Sequence, residues 1–209
     1  MQLYSYFRSS ASYRVRIALA LKGISYDTVP IHLVQGKHTE AAFVALNPQA
    51  RVPALKLDSG EMLIQSLAII NYLDEVHPHP PLLPTDPLER AKVRAAADLI
   101  AMDIHPLGNT GPRNYMLKTL GLDLETVDRW TRHWIKTGFS ALEQIISPAP
   151  FCFGAQPTLA DICLVPQVFN ARRYKVGMDR FPKIVAADAA AQNHPAFAAA
   201  APAVQPDAE

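Results

Sequence analysis

Apolar and polar positions alternate over residues 3–7 as in a short strand. Residues 12–21 then place Val15, Ile17, Ala18, Leu19 and Leu21 at helical spacing, and Gly23 follows as a C′ residue. A second strand is expected over 25–33 and a short helix over 40–46. Residues 54–57 and 62–64 predict a hairpin about Asp58-Ser59-Gly60, followed by a helix over 67–76 with Ser66 as its N-cap. The order is βαβαββα.

The first strands are joined through a helix and the last pair by a tight turn, so the sheet should be mixed, with helices on its faces. That order resembles a thioredoxin-like domain. Residues 77–87, HPHPPLLPTDP, hold five prolines in eleven positions and suit an extended, stiff connection. The domain boundary is therefore expected here, with an α/β domain over 1–80, a linker over 81–87 and an all-helical domain over 88–209. In the latter, helices are predicted over 88–104, 124–146, 159–171, 181–191 and 195–200, and no fixed-period repeat is visible. Thr158-Leu159-Ala160-Asp161 has the form of a capping box, worth ~1 kcal/mol. The tail AAAAPAVQPDAE is biased in composition and expected to be loosely held, with no function assigned.

Composition narrows the classes. Of 209 residues, 49% are apolar and 19% charged, the balance of an ordinary globular protein. A net charge of +1 gives no field favouring nucleic acid or an anionic membrane, so anion recognition must come from placed arginines. No apolar run approaches the roughly 20 residues of a membrane span, and MQLYSYFRSS lacks the features of a leader, so a cytoplasmic protein is expected. Cys152 and Cys163 stand apart without a CxxC, which argues against a disulfide framework or a zinc site; no metal is expected.

Candidate chemistry concentrates in FRSSASYRVRIAL, residues 7–19. Ser9, Ser10 and Ser12 stand where a strand passes into a helix whose first amides lack intrahelical partners, beside Arg8, Arg14 and Arg16. Such an end attracts anions, a thiolate included, although one of these serines also suffices as a plain cap. No sulfur lies here, so a thiol must arrive on a ligand. Val52-Pro53 precedes a strand where thioredoxin-like folds use a cis proline and leave the preceding backbone free for an extended peptide. Gln65-Ser66 opens the next helix and can hold a carboxylate.

The segments RSSASYRVRIALALKG, NPQARVPAL, LIQSLAIINYLDE and PTLADICLVPQVFNARRY together resemble the cytosolic glutathione transferase family over essentially the whole chain. The serine-rich first motif and VPQVFNARRYKV look like its zeta class. The resemblance implies a thioredoxin-like domain followed by a helical domain, glutathione as cofactor, and a homodimer in contact through 88–104 and 58–64. It further implies isomerase activity in aromatic catabolism: a cis maleyl keto acid, maleylpyruvate or maleylacetoacetate, becomes the fumaryl isomer by reversible thiolate addition.

Carried over residue by residue, Ser9, with Ser10 beside it, matches the hydroxyl that stabilises the glutathione thiolate; Ala11 stands where the class has a cysteine. Val52, ahead of Pro53, matches the backbone that pairs with the cysteinyl part, Gln65 and Ser66 the γ-glutamyl end, and His38 and Gln49 the glycyl end. For a small dicarboxylate substrate, the expected clamp is Arg8, Arg113 and Arg173, since guanidinium forks suit carboxylates. His105 and Asn109 face the substrate in the family, and His105 can donate or shuttle a proton. Two other readings stand beside this one: a zeta-like dehalogenase of α-halo acids, and a non-catalytic binding module of transcription or translation complexes. The intact Ser9, Val52, Pro53, Gln65 and Ser66 argue against the module.

Overall fold

The computed structural model describes residues 1–209 and divides into two compact units, Met1–Pro81 with Asn193–Glu209, and Leu82–Gln192. In the first unit β1 (Gln2–Ser5), α1 (Ser10–Leu21), β2 (Asp27–Pro30), α2 (Ala41–Leu46), β3 (Ala54–Lys56), β4 (Met62–Ile64) and α3 (Ser66–Val76) follow the expected order. The sheet is mixed and runs β2-β1-β3-β4, with β1 parallel to β2 and antiparallel to β3.

Register explains the two apolar layers. Leu3 pairs with Leu55 and Leu55 with Leu63, forming one row; Tyr4, Ala54 and Ile64 form the next row on the opposite face. That second row joins Tyr6, Phe7, Phe43 of α2 and Val52 in one cluster. Val15, Ile17 and Leu19 of α1 and Ile69, Ile70 and Leu73 of α3 are also buried, and α1 packs on α3. Each such side chain contributes about 1.5–3 kcal/mol of burial. Helix α1 stops as its sequence foretells. Gly23 has φ 65°, and the Gly23 and Ile24 amides return to the Ala20 and Leu19 carbonyls at 3.2 and 2.9 Å.

Two expectations in this unit need correction. Ser66 is the first residue of α3 rather than its cap; Gln65 holds the cap position, with φ 70° and no side-chain capping bond. The tail is not loose. Helix α9 (Pro195–Ala200) packs on α1 with Phe197 fully buried, and Gln205 Nε2 donates to the Ala199 and Ala201 carbonyls at 3.1 and 2.9 Å. Composition misleads because Ala196, Phe197 and Ala200 are buried together in α9, a tertiary contact that composition does not show. Asn193–Glu209 thus belongs with the first unit, whereas the sequence placed it with the helical domain.

In the second unit, Pro87 begins α4 (Pro87–Asp98), and the Asp86 carboxylate accepts from the Leu88 and Glu89 amides at 3.0 and 2.9 Å. Within the proline-rich stretch Leu82 is buried, and its carbonyl accepts from the Leu159 amide at 2.9 Å. The helix expected over 88–104 is α-helical only to Asp98; Leu99–Ile104 is π-helical and His105–Gly108 forms a 3₁₀ turn. A wound-out turn is tolerated here because Pro106 lacks the N–H that would continue the ladder. Helix α5 (Thr110–Lys118) was not expected, because Gly111 and Pro112 look like breakers. Both lie in its first turn, where amides have no helical partner to lose.

Helices α6 (Leu124–Ile145), α7 (Leu159–Arg173) and α8 (Pro182–Gln192) complete the unit. The capping box opening α7 is present: Asp161 accepts from the Thr158 amide and hydroxyl at 2.8 and 2.9 Å, and also from the Cys152 amide at 2.8 Å. Buried Glu143 of α6 accepts from the Lys183 and Ile184 amides, capping α8 from a distance. No helix is long and apolar enough to cross a membrane.

Candidate active site

The corner between β1 and α1 is fixed by backbone bonds. The Ser9 amide donates to the Tyr6 carbonyl at 2.9 Å, and Ser9 Oγ accepts from the Ser12 amide at 3.2 Å. Ser9 therefore does cap the helix. Capping uses only an oxygen lone pair, so the hydroxyl hydrogen stays free to donate outward. Ser10 is buried, and Ser12 is fully buried with an Oγ that has no partner. The Ala11 amide takes part in no hydrogen bond.

The three nearby arginines separate sharply. Arg8 is half-buried; its Nη2 donates to the Tyr6 hydroxyl at 3.0 Å, and its guanidinium lies 5.7 and 5.3 Å from the Tyr6 and Phe7 ring centres. Arg14 and Arg16 are inside the unit. Arg14 Nη1 donates to Ser66 Oγ at 3.3 Å. Arg16 donates to the carbonyls of Ala200 and Phe7 at 3.0 and 2.9 Å, and burial lowers its pKa to about 10 against the opposing pull of Tyr26, Asp207 and Tyr13.

Val52 and Pro53 are joined by a cis peptide bond. The turn before them is built by Asn47, which the sequence reading passed over. Its Oδ1 accepts from the Gln49 amide at 3.0 Å and its Nδ2 donates to the Arg51 carbonyl at 2.7 Å. An asparagine accepting from the amide two residues on is an Asx turn, and the Asn-Pro pair was its available signal. The amide and carbonyl of Val52 are left unpaired. Gln65 Nε2 donates to Gln49 Oε1 at 2.8 Å, so two predicted site residues meet. Beside them α3 begins uncapped: the amides of Ser66, Leu67 and Ala68 have no partner, an opening suited to a carboxylate. His38 sits apart in the 3₁₀ turn Lys37–Thr39, its Nδ1 buried without a partner and its pKa lowered by burial.

In the helical unit, Arg113 and Arg173 both lie against one aromatic ring. Their guanidinium carbons lie 4.8 and 4.7 Å from the centre of Tyr174, which the sequence reading missed. Arg173 Nη2 also donates to the Tyr174 hydroxyl at 3.0 Å. Arg113 is held firmly: Nη1 donates to Thr131 Oγ1 at 2.7 Å and Nη2 to Asp128 at 2.6 Å. Its Nε–H and one Nη2–H remain for a ligand. Asn109 caps α5, its Oδ1 accepting from the Thr110 amide at 2.8 Å, and His105 lies half-buried in the 3₁₀ turn. That turn is held against α6 by glycines. A Cβ on Gly138 would stand 2.2 Å from Ile104 Cγ1, and one on Gly108 2.8 Å from Thr131 Cγ2.

Neither cysteine supplies a thiol. Both are buried, and burial with the neighbouring Asp161 carboxylate pushes the Cys152 thiol up. A cavity of 360 Å³ between β2 and α2, floored by Tyr4 and Phe43, contains none of the candidate residues.

A mixed four-stranded sheet with an open, serine-lined helix corner, a cis proline before β3 and a following helical unit defines a glutathione-transferase architecture. The profile described as "Glutathione S-transferase, N-terminal domain" matches residues 1–75, and that described as "Glutathione S-transferase, C-terminal domain" matches 125–202. The chain belongs to the glutathione S-transferase family. It is 51% identical to the maleylacetoacetate isomerase of Pseudomonas aeruginosa, over 99% of this chain and 98% of that one. Among solved structures it superposes with a TM-score of 0.97, at 46% identity and full coverage of both chains, on a maleylpyruvate isomerase described as a bacterial glutathione S-transferase of the zeta class. A maleylacetoacetate isomerase of Methylobacterium extorquens AM1, solved with bound malonate and glutathione, matches with a TM-score of 0.96 at 36% identity over the whole of both chains.

Proposed function

We infer that this zeta-class protein is a glutathione-dependent cis–trans isomerase that converts a maleyl keto acid, maleylpyruvate or maleylacetoacetate, to its fumaryl isomer. The observation that carries the reading is the set of unpaired polar groups in the first unit: the Ala11 amide, the Val52 backbone, and the amides of Ser66, Leu67 and Ala68. These fit a short extended peptide with a carboxylate at its γ-glutamyl end and a thiol on its central residue. Bound glutathione supplies a thiol that adds to and leaves the conjugated alkene, letting the bond turn meanwhile.

The residues act around that chemistry. Ser9 Oγ donates to the sulfur, lowering its pKa together with the end of α1, and Ser10 lies beside it. Val52, ahead of Pro53, pairs with the peptide backbone of the cofactor, Gln65 and Ser66 hold its γ-glutamyl carboxylate, and Gln49 and His38 serve the glycyl end. Arg8 is poised for a substrate carboxylate, since its Nε is buried without a partner. In the helical unit Arg113 and Arg173 are assigned to the second carboxylate, Asn109 to a substrate oxygen, and His105 to proton donation at a carbonyl. The sequence boundaries accordingly assign glutathione to residues 1–80 and the keto acid to the helical domain. Exposed Leu88 and Met102, 64% and 60% accessible, support a homodimer through the segment already named. A cytoplasmic location follows the cytosolic resemblance.

The test is loss of maleylpyruvate absorbance with and without glutathione, with identification of fumarylpyruvate as product. Glutathione-dependent turnover is expected. Failure with both maleyl acids, while glutathione binding is intact, overturns the reading.

A further inference from the structure

Phe7 is the residue just before Arg8 and Ser9, and both of its backbone polar groups are held by side chains, one of them 200 residues away. Its amide donates to Asp207 Oδ2 at 2.9 Å, and its carbonyl accepts from Arg16 Nη2 at 2.9 Å. Arg16 is 1% exposed and is itself anchored to the tail, because Nε donates to the Ala200 carbonyl at 3.0 Å. Its Nη1 donates to Ser5 Oγ at 3.2 Å and reaches the Tyr6 carbonyl at 3.5 Å. The tail is secured on either side of Asp207. Gln205 bonds back to Ala199 and Ala201, and the Glu209 carboxylate meets His32, whose ring lies 5.2 Å from that of Tyr6. A buried guanidinium with this many carbonyl partners is costly to desolvate, so its geometry is strongly specified.

We propose that the carboxy-terminal segment is a strap that sets the position of the Arg8–Ser9 turn, with Asp207 and Arg16 as positioning residues for the thiol-activating hydroxyl. The strap acts through Phe7. Asp207 fixes its amide, Arg16 fixes its carbonyl, and Ala200 ties the two restraints to one element. Losing the Asp207 bond frees the end of β1 to rotate about Phe7, and the Ser9 hydroxyl loses its aim while the glutathione-holding residues 49–68 keep theirs. The effect should therefore fall on chemistry rather than on cofactor affinity. This inference rests on the assignment of Ser9 to the glutathione sulfur.

The experiment uses the full-length protein with bound glutathione and reads the cofactor's thiol pKa by thiolate ultraviolet absorbance, alongside kcat and KM. Wild type, Ser9→Ala, Asp207→Ala and Asp207→Asn are compared, and a chain lacking Asp207–Glu209 provides a second route should Asp207→Ala fold poorly. Asp207→Ala and the shortened chain should raise the thiol pKa and lower kcat about tenfold, with KM for glutathione within about twofold of wild type. Asp207→Asn should restore most of the loss, because its amide oxygen still accepts from the Phe7 N–H. A wild-type thiol pKa and kcat in Asp207→Ala and in the shortened chain, with Ser9→Ala impaired, overturns the strap and leaves the Ser9 assignment intact. A thiol pKa in the wild type equal to that of free glutathione, unaltered by Ser9→Ala, overturns the Ser9 assignment and the strap with it.

Discussion

The polar groups of the first unit and the arginine cluster of the second, both assigned to anions under the proposed function, stand in opposite states. Around α1 and α3 the donors are backbone amides left open: Ala11, Ser66, Leu67 and Ala68 have no partner, and Ser9 closes only the Ser12 amide. Around Tyr174 the donors are guanidiniums already engaged, Arg113 with Asp128 and Thr131 and Arg173 with the tyrosine. Open backbone donors wait on water or a ligand, and no side-chain substitution short of proline removes them. Engaged side chains are pre-oriented, so a ligand there meets a rigid fork and less freedom is lost per new bond. Under the proposed function, the first arrangement receives an invariant cofactor and the second orients the keto acid.

The largest effect should come from the one side chain that joins these open amides to chemistry. Ser9→Ala is expected to lower kcat about 100-fold, the scale of deleting one preorganised donor at a developing charge. The same change removes a helix cap, at about 1 kcal/mol of stability. Ser9→Thr keeps both the cap and the hydroxyl and should retain most of kcat. Steady-state kinetics with urea midpoints measured in parallel separate the roles: a Ser9→Ala protein that is destabilised but turns over normally would reduce Ser9 to a cap.

Next in size is a change in the support of the helical cluster. Gly138→Ala places a methyl 2.2 Å from Ile104 Cγ1, and Ile104 is buried beside His105. Overpacking of this kind costs about 1–3 kcal/mol, read as a lower denaturation midpoint. Adding Ile104→Val should recover part of the loss, and strict additivity of the two changes would show that the contact is not limiting.

Smaller again is the engaged arginine itself. Arg113→Lys keeps the charge but loses the fork, and KM for the keto acid should rise about tenfold with kcat little altered. A double-mutant cycle with Asp128→Asn should give a coupling of about 1 kcal/mol, since the two side chains remain 12% and 26% exposed. An unchanged KM would remove Arg113 from the substrate's neighbourhood.

The same contrast explains what the sequence disclosed. Strand alternation, Gly23, the Asp58-Ser59-Gly60 turn and the Thr158–Asp161 box are local signals, and the elements they predict are present. The positions of Ser9, Val52 and Gln65 at a strand or helix end could be read locally, and the structure places each at such an end. What stayed hidden depends on partners far along the chain: Asp207 on Phe7, Glu143 on α8, and Tyr174 against Arg113. Helix α5 was hidden for the converse reason, since Gly111 and Pro112 signal a break wherever they occur, except in a first turn. Arg14 and Arg16 looked like members of an anion site and are instead buried structural donors.

The smallest expected effect concerns His38, the outlying open group of the first unit. Burial lowers its folded pKa, whereas the unfolded chain protonates it near ~6.5. The unfolded state therefore binds more protons as pH falls through that value. The stability associated with neutral His38 is complete above it and is lost on the way down to the folded pKa. The loss is slight because the ring is partly solvated. His38→Gln should flatten this acid-side decline in urea midpoints, and an unchanged slope would show that His38 does not contribute to it. Glutathione then sharpens the comparison: a glycyl carboxylate facing the imidazole favours the cation and raises its folded pKa. The acid-side decline should shrink with saturating glutathione in the wild type, beyond any change seen in His38→Gln. Equal shrinkage in both proteins would detach His38 from the cofactor and leave the glycyl end to Gln49 alone.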